Sequence, residues 1–504
     1  MTSVSRVLII GIDGLDANLL QLFQSNLPNF SKLMKKWPLV KMQSVFPPDS
    51  PTAWASIFTG LNPAKHGIVS FKDPLSRSKV GDYVDKVGNI AGRTFWDHAG
   101  KYGRKCCVLF PHLAYPPWPV NGILVSRTTE VDIRKFDIKT YPADFSLGCN
   151  PVELKPITSF PINIGQVIQP TKQLILNEVK FGERLLEGSD CEVFFIYFSS
   201  LDNIEHIFWM AFDETHPGYS KLNPYRDVIS DFYNFYDEQV IGTFMKAIGS
   251  DTALMVLSDH GHGLRPCNLV NINEFLARAG LLKTKIKSSS LSDISYLKES
   301  VKRRITGFIN EKRVAAKFAS RFLSLFPKSL EMYTGSSPID WNETSAYLCD
   351  SSAGLKAYSY AGIRVKKGFS SSSYEQIRKS VIELLMRIKD PKSSENLVEW
   401  AIKREELYEG PFISNYPDVV FKLRDTWGVG WEANGPSYGS SLSHKLFSGT
   451  HKQGSAVFLL DDPNGQTSKV DNPALTDVTP TILSMLSIND PNLHRSFDGK
   501  SILV

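Results

Sequence analysis

The sequence predicts an α/β fold built on a mostly parallel sheet flanked by helices. Three observations predict it. Short, almost wholly apolar runs such as Val7–Ile12, Glu192–Phe198 and Ala253–Leu257 suit strands buried on both faces. These runs alternate with stretches in which apolar residues recur at helical spacing. Each of the three ends a few residues before an Asp or His, at the strand-end edge where open α/β sheets gather functional groups.

The elements follow in order. Val7–Ile12 ends at Asp13. Leu19, Leu20, Leu22 and Phe23 give the next segment helical spacing, and Pro28 opens a second helix around Phe30–Met34. Further strands are predicted at Lys105–Phe110, Gly122–Ser126, Glu192–Phe198, Ala253–Leu257 and Ser455–Leu460, with a closing helix near Pro480–Leu486. Between about Trp341 and Val420 the pattern is mixed, with a strand in Ala357–Val365 and a helix near Tyr374–Ile388. The serine runs Ser288–Ser290 and Ser370–Ser373 read as loops.

At 504 residues the chain exceeds a single simple core, since cores stop growing near ~250–300 residues. The division expected is a core from 1–282 and 441–504, interrupted by an inserted cap over 283–440. A composition of 42% apolar and 22% charged residues is that of a soluble globular protein. A net charge of +5 argues against a dedicated nucleic-acid binder and is compatible with a small anionic substrate. The apolar run at the N-terminus is too short for a secretory signal, and no stretch reaches the ~18 apolar residues of a membrane span. Six cysteines without a CxxC pair fit a reducing compartment, so a cytoplasmic location is expected. Lys283–Glu331 carries twelve Lys or Arg against four Asp or Glu. Residues 294–326 there read as an amphipathic basic helix. Such a face suits an anionic substrate, a membrane surface or plain solvation, and nothing else in the sequence calls for the membrane.

The chemistry-bearing residues lie at the strand ends. Asp202 and His206 stand at i and i+4, on one face of a helix, and can reach one ion. Asp259 and His260 follow a buried strand within Ser-Asp-His-Gly-His-Gly, a turn in which His262 is a ligand or a neighbour. Asp13, between a strand and Gly14, is a ligand or a helix cap. His451 stands alone in Gly-Thr-His-Lys. Three Asp and three His suit two divalent ions. Mixed nitrogen and oxygen ligation favours zinc, with manganese or iron as rivals. Two such ions clamp a transferring phosphoryl group. Ser50, in FPPDSPTAWASIF, sits at a helix start where an anion is welcome and an ion would activate its hydroxyl. Asp49 and Thr52 compete for that role, and Ser50 acting as a mere cap is the plain alternative.

Together these pieces resemble the alkaline phosphatase superfamily, and within it the type I phosphodiesterase/nucleotide pyrophosphatase group. The matching segments are GIDG at 11–14, SPTAWASIFTGLNPAKHGI at 50–68, LDNIEH at 201–206, SDHGHG at 258–263, GTHKQG at 449–454 and DVTPTILSML at 477–486. The resemblance implies a doubly wound α/β fold. It places one ion on Asp202, His206 and His451 and the other on Asp13, Asp259 and His260. Ser50, the nucleophile and a ligand, faces both, in a position where the family more often has Thr. The implied activity is phosphodiesterase-like hydrolysis of a small anionic phosphate ester through a covalent Ser50 intermediate. Two departures matter. Pro51-Thr52-Ala53 replaces the Phe-Pro-Asn that follows the nucleophile in nucleotide pyrophosphatases, and Trp54 stands where sulfatases carry Arg. The alternatives are a phosphomonoesterase or phosphotransferase, in which Lys356, Arg364 or the basic insertion binds a third phosphate oxygen, and a catalytically silent binding protein of the same fold.

Overall fold

The computed structural model describes residues 4–71, 73–74, 88–128, 136–157, 163–285, 339–352, 356–441, 443–463 and 472–503. The serine run 288–290 and the basic helix expected over 294–326 lie outside them.

The described strands are β1 (Arg6–Ile12), β2 (Val40–Met42), β3 (Cys106–Leu109), β4 (Gly122–Arg127), β5 (Ile138–Tyr141), β6 (Val193–Phe198), β7 (Thr252–Leu257), β8 (Gly261–Leu264) and β9 (Asn268–Asn271). They continue with β10 (Ala346–Cys349), β11 (Tyr360–Val365), β12 (Val398–Lys403), β13 (Val419–Leu423), β14 (Trp427–Gly430), β15 (Tyr438–Ser440), β16 (Gly449–Lys452) and β17 (Ala456–Asp461). Eight of them form one sheet in the order β2-β17-β7-β1-β6-β3-β4-β5. The five central strands, β7 to β4, are parallel, while β17 and β5 run antiparallel to their inner neighbours.

Side-chain alternation explains why the central strands read as unbroken apolar runs. Leu8, Ile10 and Ile12 of β1 enter one core with Phe194, Ile196 and Phe198 of β6. Val7 and Ile9 enter the opposite core with Val193, Phe195 and Tyr197. Both faces are therefore buried, and helices cover both. The helices Ile168–Gly188, Ser200–Phe212 and Val228–Phe235 pack on the first face. Ser50–Thr59, Phe95–Lys101 and Val478–Met485 pack on the second. This is the doubly wound, mostly parallel arrangement expected of an alkaline-phosphatase-like fold.

A second sheet, β10-β11-β13-β12, is antiparallel and carries the helix Ser371–Met386. It has its own apolar cluster, including Leu348, Ile363, Val381, Leu385 and Phe421. The second serine run is a helix start rather than a loop: the Ser370 side chain caps the Ser373 amide at 3.3 Å. Two small pairings went unread in the sequence, β14-β9-β15 and the ribbon β16-β8.

Where the long helix Ile168–Gly188 meets the end of β4, Arg127 and Glu178 form a buried ion pair at 2.6 Å. Their side chains are 5% and 0% exposed. The guanidinium also lies 4.6 Å from the centre of the Phe110 ring and donates to the Leu154 carbonyl at 2.9 Å. Removing one partner leaves the other charge buried without its counter-ion. Glu178→Ala is therefore expected to cost ~3–5 kcal/mol, read as a lowered urea midpoint, and the paired change Arg127→Met/Glu178→Leu should cost less. A single variant as stable as the paired one would refute this account.

Candidate active site

The register of the central strands levels their carboxyl ends, with Gly11 of β1 opposite both Tyr197 of β6 and Leu257 of β7. Asp13 follows β1 at once. Asp202 lies in the first turn of the helix Ser200–Phe212, just past β6. Asp259 and His260 follow β7. Gly14 makes the tight turn (φ +75°), and a Cβ there would press on the Glu205 carboxylate and the Asp202 backbone at about 3.1–3.2 Å. His451 arrives by the ribbon, in which it pairs with His262 in register. One end of the ribbon is tied down by Asp16, which accepts from the His262 amide at 3.0 Å and from Ser455 at 2.5 Å.

All seven residues singled out from the sequence come together. Asp202, His206 and His451 form one set: His206 Nε2 and His451 Nε2 are 3.0 Å apart, and each is 3.4 Å from Asp202 Oδ1. Asp13, Asp259 and His260 form the other: His260 Nε2 stands 3.4 Å from Asp13 Oδ1 and 3.2 Å from Asp259 Oδ2. The Ser50 hydroxyl lies 3.2 Å from both Asp13 Oδ1 and His260 Nε2. The two sets are adjacent, since the rings of His260 and His451 stack at 3.9 Å. Ser50 is the first residue of the helix Ser50–Thr59, and its preceding N-cap residue is Asp49. Its side chain thus serves the cluster and not the cap.

The donor set fits divalent ions. Four ligands at zinc-like distances around a tetrahedron are separated by about 3.3 Å, which matches these spacings. Each imidazole turns Nε2 inward while an acceptor takes its Nδ1. His206 Nδ1 donates to the Gly449 carbonyl at 2.8 Å, His260 Nδ1 to the Gly261 carbonyl at 3.1 Å, and His451 Nδ1 faces Asp49 at 3.6 Å. Asp202 Oδ1 and Asp259 Oδ2 are buried with no hydrogen-bond donor. Protein hydrogen bonds leave these oxygens unsatisfied, and a cation among them would supply what is missing.

The electrostatics agree. Burial raises Asp13 well above the usual carboxylate range, reinforced by Asp259 and Asp202 and opposed by His260 and Tyr197. Asp259 is pushed up to about 7 by burial and by Asp202. Burial also raises Asp202, but His206, His451 and His262 outweigh it and hold it well below that range. Burial lowers His260 to about 4, with His451 adding to the effect. A cluster of carboxylates that cannot all ionise alone is a place for cations.

Several supporting residues went unread in the sequence. Tyr197, the one hydroxyl in the run VFFIYF, donates to Asp13 Oδ2, and the Trp54 indole donates to the same oxygen at 3.0 Å. Tyr360 of the second sheet donates to Asp49 at 3.0 Å. His262 places its Nδ1 3.3 Å from Glu205 and 3.5 Å from Asp202, and with Asp202 and His260 it makes a further group of ligand-type side chains. His112 and Arg127 line the cleft beside Ser50. Arg364 is spent elsewhere, on the Ser414 and Asn415 carbonyls and on Asp73. Tyr197→Phe keeps the ring and removes one donor to Asp13. It is expected to weaken ion binding ~10–100-fold, measured by competition with a chelator. Unchanged affinity would relegate Tyr197 to packing.

A helix-start hydroxyl beside two adjacent Asp/His clusters at the strand ends of this doubly wound sheet is the arrangement of a phosphoric ester hydrolase of the alkaline phosphatase superfamily. The chain belongs to the type I phosphodiesterase/nucleotide pyrophosphatase family, whose model matches residues 7–338. In fold it is similar to phosphonoacetate hydrolase from Sinorhizobium meliloti 1021, in its complexes with phosphonoformate and with phosphonoacetate. Each comparison gives a TM-score of 0.55 at 12% identity, covering 97% of this chain and 96% of the other. No curated protein matches the sequence. Among the described residues, no helix is long and apolar enough to cross a membrane.

Proposed function

We propose that the chain hydrolyses small anionic phosphate esters, with Ser50 as nucleophile. Two divalent ions, zinc or else manganese, would be held by Asp202, His206 and His451 and by Asp13, Asp259 and His260. The observation that carries this reading is the placement of the Ser50 oxygen 3.2 Å from both Asp13 and His260 of one set, whose His260 ring stacks at 3.9 Å on His451 of the other. The ions, when bound, would lower the hydroxyl pKa and offset the charge on the non-bridging phosphate oxygens.

The chain's own residues supply the rest. Ser50 is held at a helix N-terminus, whose dipole favours an incoming anion. Its oxygen attacks phosphorus, a P–O bond to Ser50 forms, the bond to the departing oxygen breaks, and the proton given up by Ser50 leaves on the released alcohol. Water then cleaves the phosphoseryl ester, returning a proton to Ser50 and releasing the phosphate. Tyr197 and Trp54 fix Asp13 throughout. The adjoining cleft is lined by His112, Arg127 and Tyr197, whose polar side chains face the place where the rest of the ester would lie. The bound phosphonoformate and phosphonoacetate of the structural neighbour support a compact anionic ligand.

The test is a turnover panel with zinc- or manganese-loaded protein, spanning phosphomonoesters, simple diesters, nucleotide sugars, lipid phosphates and phosphonates. Ion-dependent turnover of at least one class is expected, with phosphoryl label trapped on the Ser50 peptide after acid quench. Loaded protein that turns over none of them would end this reading.

A further inference from the structure

Above the Asp202/His206/His451 set, the second sheet contributes a short aromatic strip. The ring of Tyr358 stacks on Tyr360 at 4.8 Å and lies 6.2 Å from the ring of His451. At the solvent end of this strip the ammonium of Lys356 lies 5.9 Å from the centre of the Tyr358 ring. Lys356 is exposed, whereas Tyr358, Tyr360 and His206 are buried.

The backbone of Lys356 is pinned, and its ammonium interacts with Tyr358. Its amide donates to Ser352 at 3.1 Å. Its carbonyl accepts from Arg265, a buried guanidinium that also donates to the Phe447 carbonyl at 2.5 Å and to the Gly449 carbonyl at 2.7 Å. That same Gly449 carbonyl receives the Nδ1–H of His206. One anchor thus sets both His206 and the root of Lys356. Among the described residues, no carboxylate closes an ion pair with Lys356, and Asp49, Arg265 and Tyr358 are its electrostatic neighbours.

We propose that Lys356 binds an outward-facing oxygen of the substrate's phosphate and makes this site selective for dianionic phosphoryl groups, as in phosphomonoesters and phosphonates, over singly charged diesters. The inference rests on the hydrolase reading above. A monoester carries nearly two charges at neutral pH and a diester one, so an extra ammonium favours the first. The competing role is that Lys356 merely balances Asp49, which faces His451.

The two roles separate in Lys356→Ala. With zinc-loaded full-length chain, kcat/KM is measured on 4-nitrophenyl phosphate and on its methyl diester, and binding of inorganic phosphate is measured by calorimetry. Loss of one charge-assisted contact should lower the monoester-to-diester ratio roughly tenfold or more and weaken phosphate binding by a similar factor. Lys367→Ala, which removes an exposed charge from the turn after β11, should leave that ratio as it is. Equal losses on both esters, accompanied by loss of zinc, would assign Lys356 to Asp49 and overturn the proposal. So would unaltered phosphate affinity. If the wild type turns over neither ester yet loses phosphate affinity through Lys356→Ala, the hydrolase reading fails and the anion site stands.

Discussion

Ser50→Ala is expected to lower kcat by at least ~10³-fold while leaving bound metal close to the wild-type level, because a nucleophile's loss is not offset by the rest of the machinery. The geometry separates these two effects. The Ser50 oxygen touches Asp13 and His260, but each three-residue ligand set is complete without it. Alanine keeps the helix start, because Asp49 holds the N-cap position. Elemental analysis alongside steady-state kinetics checks both halves. A variant that keeps most of its turnover would remove Ser50 from the reaction, and one that loses its metal would make Ser50 chiefly a ligand.

The second large effect concerns the ligands. Asp259→Asn and His206→Ala should each weaken binding of one ion by at least ~100-fold, more than the loss of an outer hydrogen bond costs. The two variants are expected to fail differently. Asp259→Asn keeps the shape of the side chain and the Gly14 amide contact at Oδ1, but it removes the charge at the donorless Oδ2. His206→Ala removes the Nε2 that lies beside His451 and leaves the Gly449 carbonyl to Arg265 alone. Stoichiometry after dialysis should fall from two ions toward one in each case. Two ions retained in both variants would strike these residues from the ligand list.

Much of this was legible in the sequence because the central strands are buried on both faces. β1, β6 and β7 are short apolar runs with nothing polar to mislead, and their ends mark where Asp13, Asp202 and Asp259 emerge. The edges were harder to read. β2 has three residues and a half-exposed pattern, and β5 pairs on one side only, so neither carries a strong period-2 signature. The ribbon of β8 and β16 has no local signature, since Gly-His-Gly and Gly-Thr-His-Lys pair only through the tertiary fold. By pattern His451 was therefore only a lone histidine, and its assignment to the ion of Asp202 and His206 came from family resemblance. Tyr197 was hidden for a related reason. Inside a buried strand a tyrosine reads as an aromatic core residue, and only the position of Asp13 shows that its hydroxyl has work to do. Asp49 was weighed as a rival to Ser50, whereas its carboxylate faces His451 and accepts from Tyr360.

The distances along the chain between contacting site residues have a further consequence. Ser50 meets His260 across 210 residues, and His206 meets His451 across 245. No short stretch of polypeptide holds either complete ligand set, so a nascent or partly unraveled chain offers at most a two-residue site such as Asp202 with His206. Contacts of such long sequence separation are costly to close and form late. The proposed ions would then bind the finished tertiary structure in preference to the open chain, and by mass action every increment of free metal would deepen the native well.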